Sequence, residues 1–238
     1  MWHPVAVAVS PEGLRMRAIP WLVAVFWSLP AVAVAPVGSW RDLRTAAEQR
    51  VAQLKQRYPE VDASWRPSLP GPELVTGLDV LMPGESTPEG RARAFLSSQP
   101  DLLGIDVGLL HRVDETRAKD RVIVHFAQWA QTPAGPRPVL DRLVAVTMDT
   151  RGHILTLASD ALPTAEMPPA TLSAAEAQAV VVREVLANKR PPKLPAVLAV
   201  WAEPGRGRLV WVLDAGLQRV VVDAVTGAIA ARQSRVVP

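Results

Sequence analysis

The sequence predicts an α+β fold: two small domains, each a helix packed on an antiparallel sheet, after an N-terminal signal peptide and helix. Three observations lead there. Helical periodicity is confined to three segments, while strand-like runs follow one another with no helix between them; consecutive strands build antiparallel sheets, not β-α-β units. A Pro-rich stretch without periodicity, Leu162–Thr171, separates two halves that each read as a helix followed by strands. Residues 207–232 (GRLVWVLDAGLQRVVVDAVTGAIAAR) read as two apolar runs and a turn leading into a third, which is an antiparallel meander.

The elements follow in chain order. Arg15 and Arg17 precede an apolar run, Ala18–Ala35, that ends in small residues at Ala31, Ala33 and Ala35. A basic stretch, a short apolar core and overlapping A-x-A sites describe a secretory signal peptide over residues 1–35, with Met16 as an alternative start. The rival reading is a retained membrane anchor, against which stand the marginal length and Pro30. The expected location is secreted or periplasmic, with membrane contact only through an uncleaved signal segment. Residues 36–59 hold a helix, Trp40–Tyr58, with Leu43, Ala47, Val51 and Leu54 on one face and Pro59 as its stop.

The first domain is expected over 60–162. Val61–Trp65 and Leu74–Leu78 are short strands around the Pro67–Pro72 turn. Ser86-Thr87-Pro88-Glu89 opens a helix, Pro88–Ser98, with Ala92, Phe95 and Leu96 inward. Strands Leu109–Thr116, Arg121–Gln131, Pro138–Asp149 and Gly152–Ala158 follow, with Val122, Val124 and Phe126 alternating against Ile123, His125 and Ala127. Residues 163–172 form the linker. The second domain, 173–238, begins with a capping box, Ser173 to Glu176, and a helix Ala174–Asn188. Strands Ala196–Ala202, Leu209–Leu213 and Val220–Val222 follow. Thr226-Gly227 is a tight turn in which Gly supplies a positive φ, and the Asp223 side chain can bond turn amides.

The chemistry is constrained by what the chain lacks. With 238 residues and 49% hydrophobic content there is ample core for one or two domains. Net charge is +3, spread without a basic stripe interleaved with aromatics, which argues against a nucleic-acid partner. There is no cysteine, so disulfides, thiolate nucleophiles and cysteine zinc sites are excluded. No H-E-x-x-H, G-x-S-x-G or S-x-x-K occurs. His3 falls in the signal, and His111, His125 and His153 lie on different predicted strands without ligand spacing. G-R-G-R at 205–208 has no third Gly and no following helix, so it reads as a hairpin tip. Asp214 and Asp223 terminate strands. No catalytic, cofactor-binding or metal residue is expected, and the chain is read as no enzyme. Trp129, Trp201 and Trp211 are expected in the core. Trp129, beside the long turn at 132–139, is also the aromatic best placed to touch a partner.

Two sets of residues carry a family resemblance. V-D-A-V-T-G-A-I at 222–229, in its strand, strand, turn, strand setting, resembles the PepSY module. A-R-A-F-L-S-S-Q-P-D-L-L-G-I at 92–105, V-I-V-H-F-A-Q-W at 122–129 and L-V-A-V-T-M-D-T-R-G-H-I at 143–154 are similar to the fungalysin/thermolysin propeptide module. Phe126 and Gln128 match that module's Phe-x-Gln core, and Asp149, Gly152 and Ile154 its D-x-x-G-x-I pattern. The turn T-P-A-G-P-R-P-V at 132–139 departs from it, being several residues longer. Together the resemblances span about residues 60–235. In known precursors this tandem lies directly upstream of a zinc protease. The resemblance therefore implies a non-catalytic protein that binds a thermolysin-like zinc metalloprotease as inhibitor or folding helper. Two other readings stay open: a cell-envelope binding protein unrelated to proteases, and a remnant of a metalloprotease precursor. Val236, Val237 and Pro238 form an apolar tail that could lie in a zinc cleft; a frayed terminus is the plainer reading.

Overall fold

The computed structural model describes residues 39–164, 167–186, 195–204 and 206–234, all within one compact unit. The signal segment 1–35 and the tail residues Val236, Val237 and Pro238 lie outside the described residues. Three α-helices and one curled, mixed eleven-stranded sheet make up the described fold, which is α+β as the strand order predicts.

The helices are α1 (Trp40–Arg57), α2 (Pro88–Ser98) and α3 (Ala174–Glu184). Each begins at a side chain that satisfies first-turn amides. The Ser39 hydroxyl accepts from the Asp42 amide at 3.3 Å, while Asp42 accepts from the Ser39 amide at 3.1 Å. Thr87 accepts from Gly90 at 3.0 Å, with Pro88 in the first turn. Ser173 and Glu176 repeat the reciprocal box at 3.3 and 2.7 Å. The apolar stripes bury Ala47, Val51 and Leu54 of α1, Ala92, Phe95 and Leu96 of α2, and Ala177, Val180 and Val181 of α3. α3 stops short of the expected Asn188, which itself lies outside the described residues.

The first run of strands is β1 (Asp62–Ser64), β2 (Leu74–Thr76), β3 (Val80–Leu81), β4 (Leu110–Arg117), β5 (Arg121–Ala130), β6 (Arg137–Asp149) and β7 (His153–Ser159). The second is β8 (Ala196–Glu203), β9 (Arg206–Ala215), β10 (Gln218–Asp223) and β11 (Ile229–Ser234). β3 was not expected. It has two residues and follows Asp79, which adopts a positive φ of 43°. Alternation in β5 is regular: Val122, Val124, Phe126, Gln128 and Ala130 are buried, and the residues between them, from Ile123 to Trp129, are half-buried. α1 and α2 cover the inner face of the first set, and α3 covers one face of the second.

β6 joins the two sets. Its C-terminal part pairs with β7, and near its start Val139 makes a parallel bridge to Val200 of β8. Along its other edge it pairs with β5, but the register jumps from Ala127–Leu143 to Trp129–Pro138, so residues 139–142 bulge out of the ladder. The backbone turns there through Asp141, at a φ of 53°.

The expected division into two small domains is not clear-cut in this arrangement. One buried cluster unites Leu69, Ala130 and Val139 with Leu162, Met167, Val200, Leu209 and Ala224, drawing on both sides of residues 163–172. Leu162, at the start of the Pro-rich stretch, and Met167, in its middle, are 1% and 4% exposed. The physical reason is composition: apolar side chains flank the prolines, and burying them outweighs the absence of regular structure. Gln128 adds a polar pin. Its side chain accepts from the Leu162 amide at 3.0 Å and donates to the Leu162 carbonyl at 2.5 Å, all of it buried.

Candidate functional site

Three places gather the residues singled out by sequence. The first is the turn after β10. Asp223 is 9% exposed, and its carboxylate accepts from the Val225 and Thr226 amides at 2.9 and 2.8 Å. The Gly227 amide closes the turn onto the Asp223 carbonyl at 2.9 Å, with Gly227 at a φ of 74°. Burial pushes the Asp223 carboxyl up, but the turn amides, the Thr226 hydroxyl and the Arg208 guanidinium together hold it below the ordinary aspartate value of 3.8. The β6–β7 hairpin uses the same device. Asp149 accepts from the Arg151 and His153 amides at 2.9 and 2.8 Å, and Gly152 stands at a φ of 89°. The D-x-x-G and D-x-x-T-G strings thus each fold into an aspartate-held turn closed by a glycine that tolerates the left-handed region.

The second place is the outer face of the first strands, opposite α1 and α2. Trp129 is half-buried against His111, their ring centroids 4.4 Å apart. Ala127, Leu143, Ala145 and Ala158 continue this face across β5, β6 and β7. Leu143 is 47% exposed. The long turn beside Trp129 is held by its own bonds: the Thr132 hydroxyl donates to the Gly135 carbonyl at 2.6 Å, and Arg137 donates to the Ala134 carbonyl at 2.9 Å.

The third place was not singled out by sequence. The β6 bulge lies over the face of β8–β11 that α3 leaves free. Leu140 packs against Ala199, Val210 and Val221. Asp141 accepts from Arg219 at 3.2 Å. Arg142 donates to the Asp160 and Ala202 carbonyls, both at 3.2 Å. Arg208 donates to Glu203 at 3.0 Å, approaches Asp223 at 3.8 Å and lies over the Trp201 ring at 5.7 Å. Between these groups is an open pocket of about 370 Å³, walled by Leu140, Asp141, Arg142, Trp201, Glu203 and Gln233. The available signal was the interruption of the apolar alternation in β6 by Asp141-Arg142. A charged pair inside a strand that reads as core marks a bulge.

The three tryptophans expected in the core are only half-buried. Trp211 donates its indole N–H to the Leu172 carbonyl at 2.9 Å, which ties β9 to the start of α3. His153 contacts Asp79 at 2.7 Å, away from His111 and Trp129. Among the described residues no group of three His, Asp or Glu is arranged to hold a metal ion, and no helix is long and apolar enough to cross a membrane.

No family model matches the chain. No curated protein matches it either. Among solved structures it is similar to the Bacillus megaterium YpeB C-terminal domain, at 15% sequence identity and a TM-score of 0.37, over 73% of this chain and 75% of that one. That likeness is too distant to carry a function across.

Proposed function

We propose that this chain is an exported, non-catalytic propeptide-like protein that binds a thermolysin-like zinc metalloprotease in trans, as inhibitor or folding helper. The observation that carries the reading is the pair of signature hairpins, Asp149–Ile154 and Asp223–Ile229, built on one aspartate-and-glycine plan in successive halves of the chain. The partner class comes from the tandem sequence resemblance alone. The outer sheet face with Trp129, Ala127 and Leu143 supports a binding role, because a half-exposed apolar face suits a protein interface better than open solvent.

The test uses the purified mature protein and a thermolysin-like protease from the same organism. The expected result is slower peptide hydrolysis or a higher refolding yield of the protease. Trp129→Ala and Leu143→Asp are each expected to weaken the effect by about tenfold, as central interface residues do. No change in activity or refolding for any co-encoded metalloprotease overturns the reading in favour of a cell-envelope partner. An effect that survives removal of residues 235–238 assigns binding to the folded surfaces and not to the tail.

A further inference from the structure

We infer that the turn between β5 and β6 is a pre-shaped plug that enters the substrate cleft of the metalloprotease and sits there without being cut. The inference rests on the protease reading and names the part of this chain that blocks the cleft. Residues 131–136 link the two strands, and Gln131, Pro133, Ala134 and Pro136 are exposed. The base of the turn is fixed. Ala130 and Val139, on either side of it, are both buried in the cluster that the two halves share. Trp129 pairs with Pro138 in the ladder and lies against His111, which gives the turn an apolar shoulder. Loops carried on a rigid base are where binding groups are commonly placed.

The tip uses up its own backbone. The Gly135 amide donates to the Thr132 carbonyl at 2.9 Å, and the Ala134 amide donates to the Thr132 hydroxyl at 3.2 Å. That hydroxyl donates to the Gly135 carbonyl at 2.6 Å, and Arg137 donates to the Ala134 carbonyl at 2.9 Å. Pro133 and Pro136 carry no N–H. From Pro133 to Pro136, every backbone N–H is therefore absent or already donating, and the Thr132, Ala134 and Gly135 carbonyls are already accepting. Gly135 stands at a φ of 87°, which bends the chain away from an extended course. A protease grips its substrate as an extended strand, through backbone amides and carbonyls around the bond it cuts. To be gripped in that way, this turn must give up its internal bonds and rotate Gly135. It therefore fills a cleft as a poor substrate. Its tip, Pro133-Ala134-Gly135-Pro136, is uncharged and has no bulky side chain, which suits a narrow cleft. Because its shape is set before binding, little ordering is lost on docking.

The test uses the full mature protein and the same thermolysin-like protease, with peptide hydrolysis reporting inhibition and mass spectrometry reporting cleavage. The native protein is expected to inhibit steadily and to stay intact across residues 131–137. Thr132→Ala combined with Pro133→Ala and Pro136→Ala frees backbone amides in the turn and leaves the core untouched. This triple variant is expected to inhibit at first and then to be cut between Gln131 and Arg137, so that its inhibition decays at least about tenfold faster than the native protein's. Replacing residues 131–136 with Asn-Gly, a two-residue turn that keeps the strands in register, is expected to abolish inhibition while any gain in refolding yield through the outer sheet face remains. Circular dichroism melts check that both variants fold. Native-like inhibition by the Asn-Gly variant, an uncut triple variant, cleavage of the native turn, or a native protein that aids refolding without inhibiting would each overturn the plug and leave the protease reading standing. A native protein that neither inhibits nor aids refolding overturns the protease reading and the plug with it.

Discussion

Asp223 shows how much one side chain does here. It bonds two turn amides, meets Arg208 and is nearly enclosed. Its carboxyl is held below the ordinary value in the folded chain, so the unfolded chain binds the proton more readily. The stabilisation is therefore complete above the unfolded-state value of 3.8 and is lost as pH falls through the lower folded-state value. Asp223→Asn keeps the shape and removes the charge. It is expected to cost about 1–2 kcal/mol at neutral pH. That difference should shrink as pH falls below about 4, where the unfolded chain's carboxylate takes up its proton before the native one does. Urea melts of both proteins at pH 7 and pH 3 check this. A difference that stays constant with pH would show that packing, not charge, holds the turn.

At the scale of the element, the stretch between the halves is the informative one. Its prolines and lack of periodicity read as an exposed tether, yet Leu162 sits in a shared cluster and is pinned through its backbone by Gln128. Leu162→Ala should therefore cost about 2–5 kcal/mol, the range for emptying a core site. An exposed linker residue would cost a few tenths. Thermal or urea denaturation separates the two outcomes directly. The helices behave more simply. The starts of α2 and α3 were legible from their caps at Thr87 and Ser173, and that of α1 from its apolar spacing; the Ser39 box is a further local bond between residues three apart, and none of the three caps needs anything from the rest of the fold.

For the whole molecule, β6 is the connecting member. It pairs with β5, β7 and β8, and residues 139–142 leave its ladder to cover the open face of the second sheet. Arg142 reaches Ala202, and Asp141 reaches Arg219, across the boundary that the Pro-rich stretch suggests. Unfolding should then be one cooperative event. Tryptophans lie in both halves, so fluorescence and far-UV circular dichroism should give coincident midpoints, and residues 173–238 expressed alone should not fold. Two separated transitions would show that the halves stand independently.

The local layer of this protein is written in its sequence. The α+β class, all three helix starts, ten of the eleven strands among the described residues and the aspartate turn at 223–227 follow from periodicity, caps and turn residues, which act over a few neighbouring positions. What only the tertiary structure decided is how the halves meet. A bulge in β6, one parallel bridge at Val139–Val200 and a cluster around Leu162 depend on residues far apart in sequence, and no local pattern encodes which of them will touch. The pocket at Trp201 has the same origin. Leu140, Glu203 and Gln233 come from three strands, and only the curl of the sheet brings them to one place.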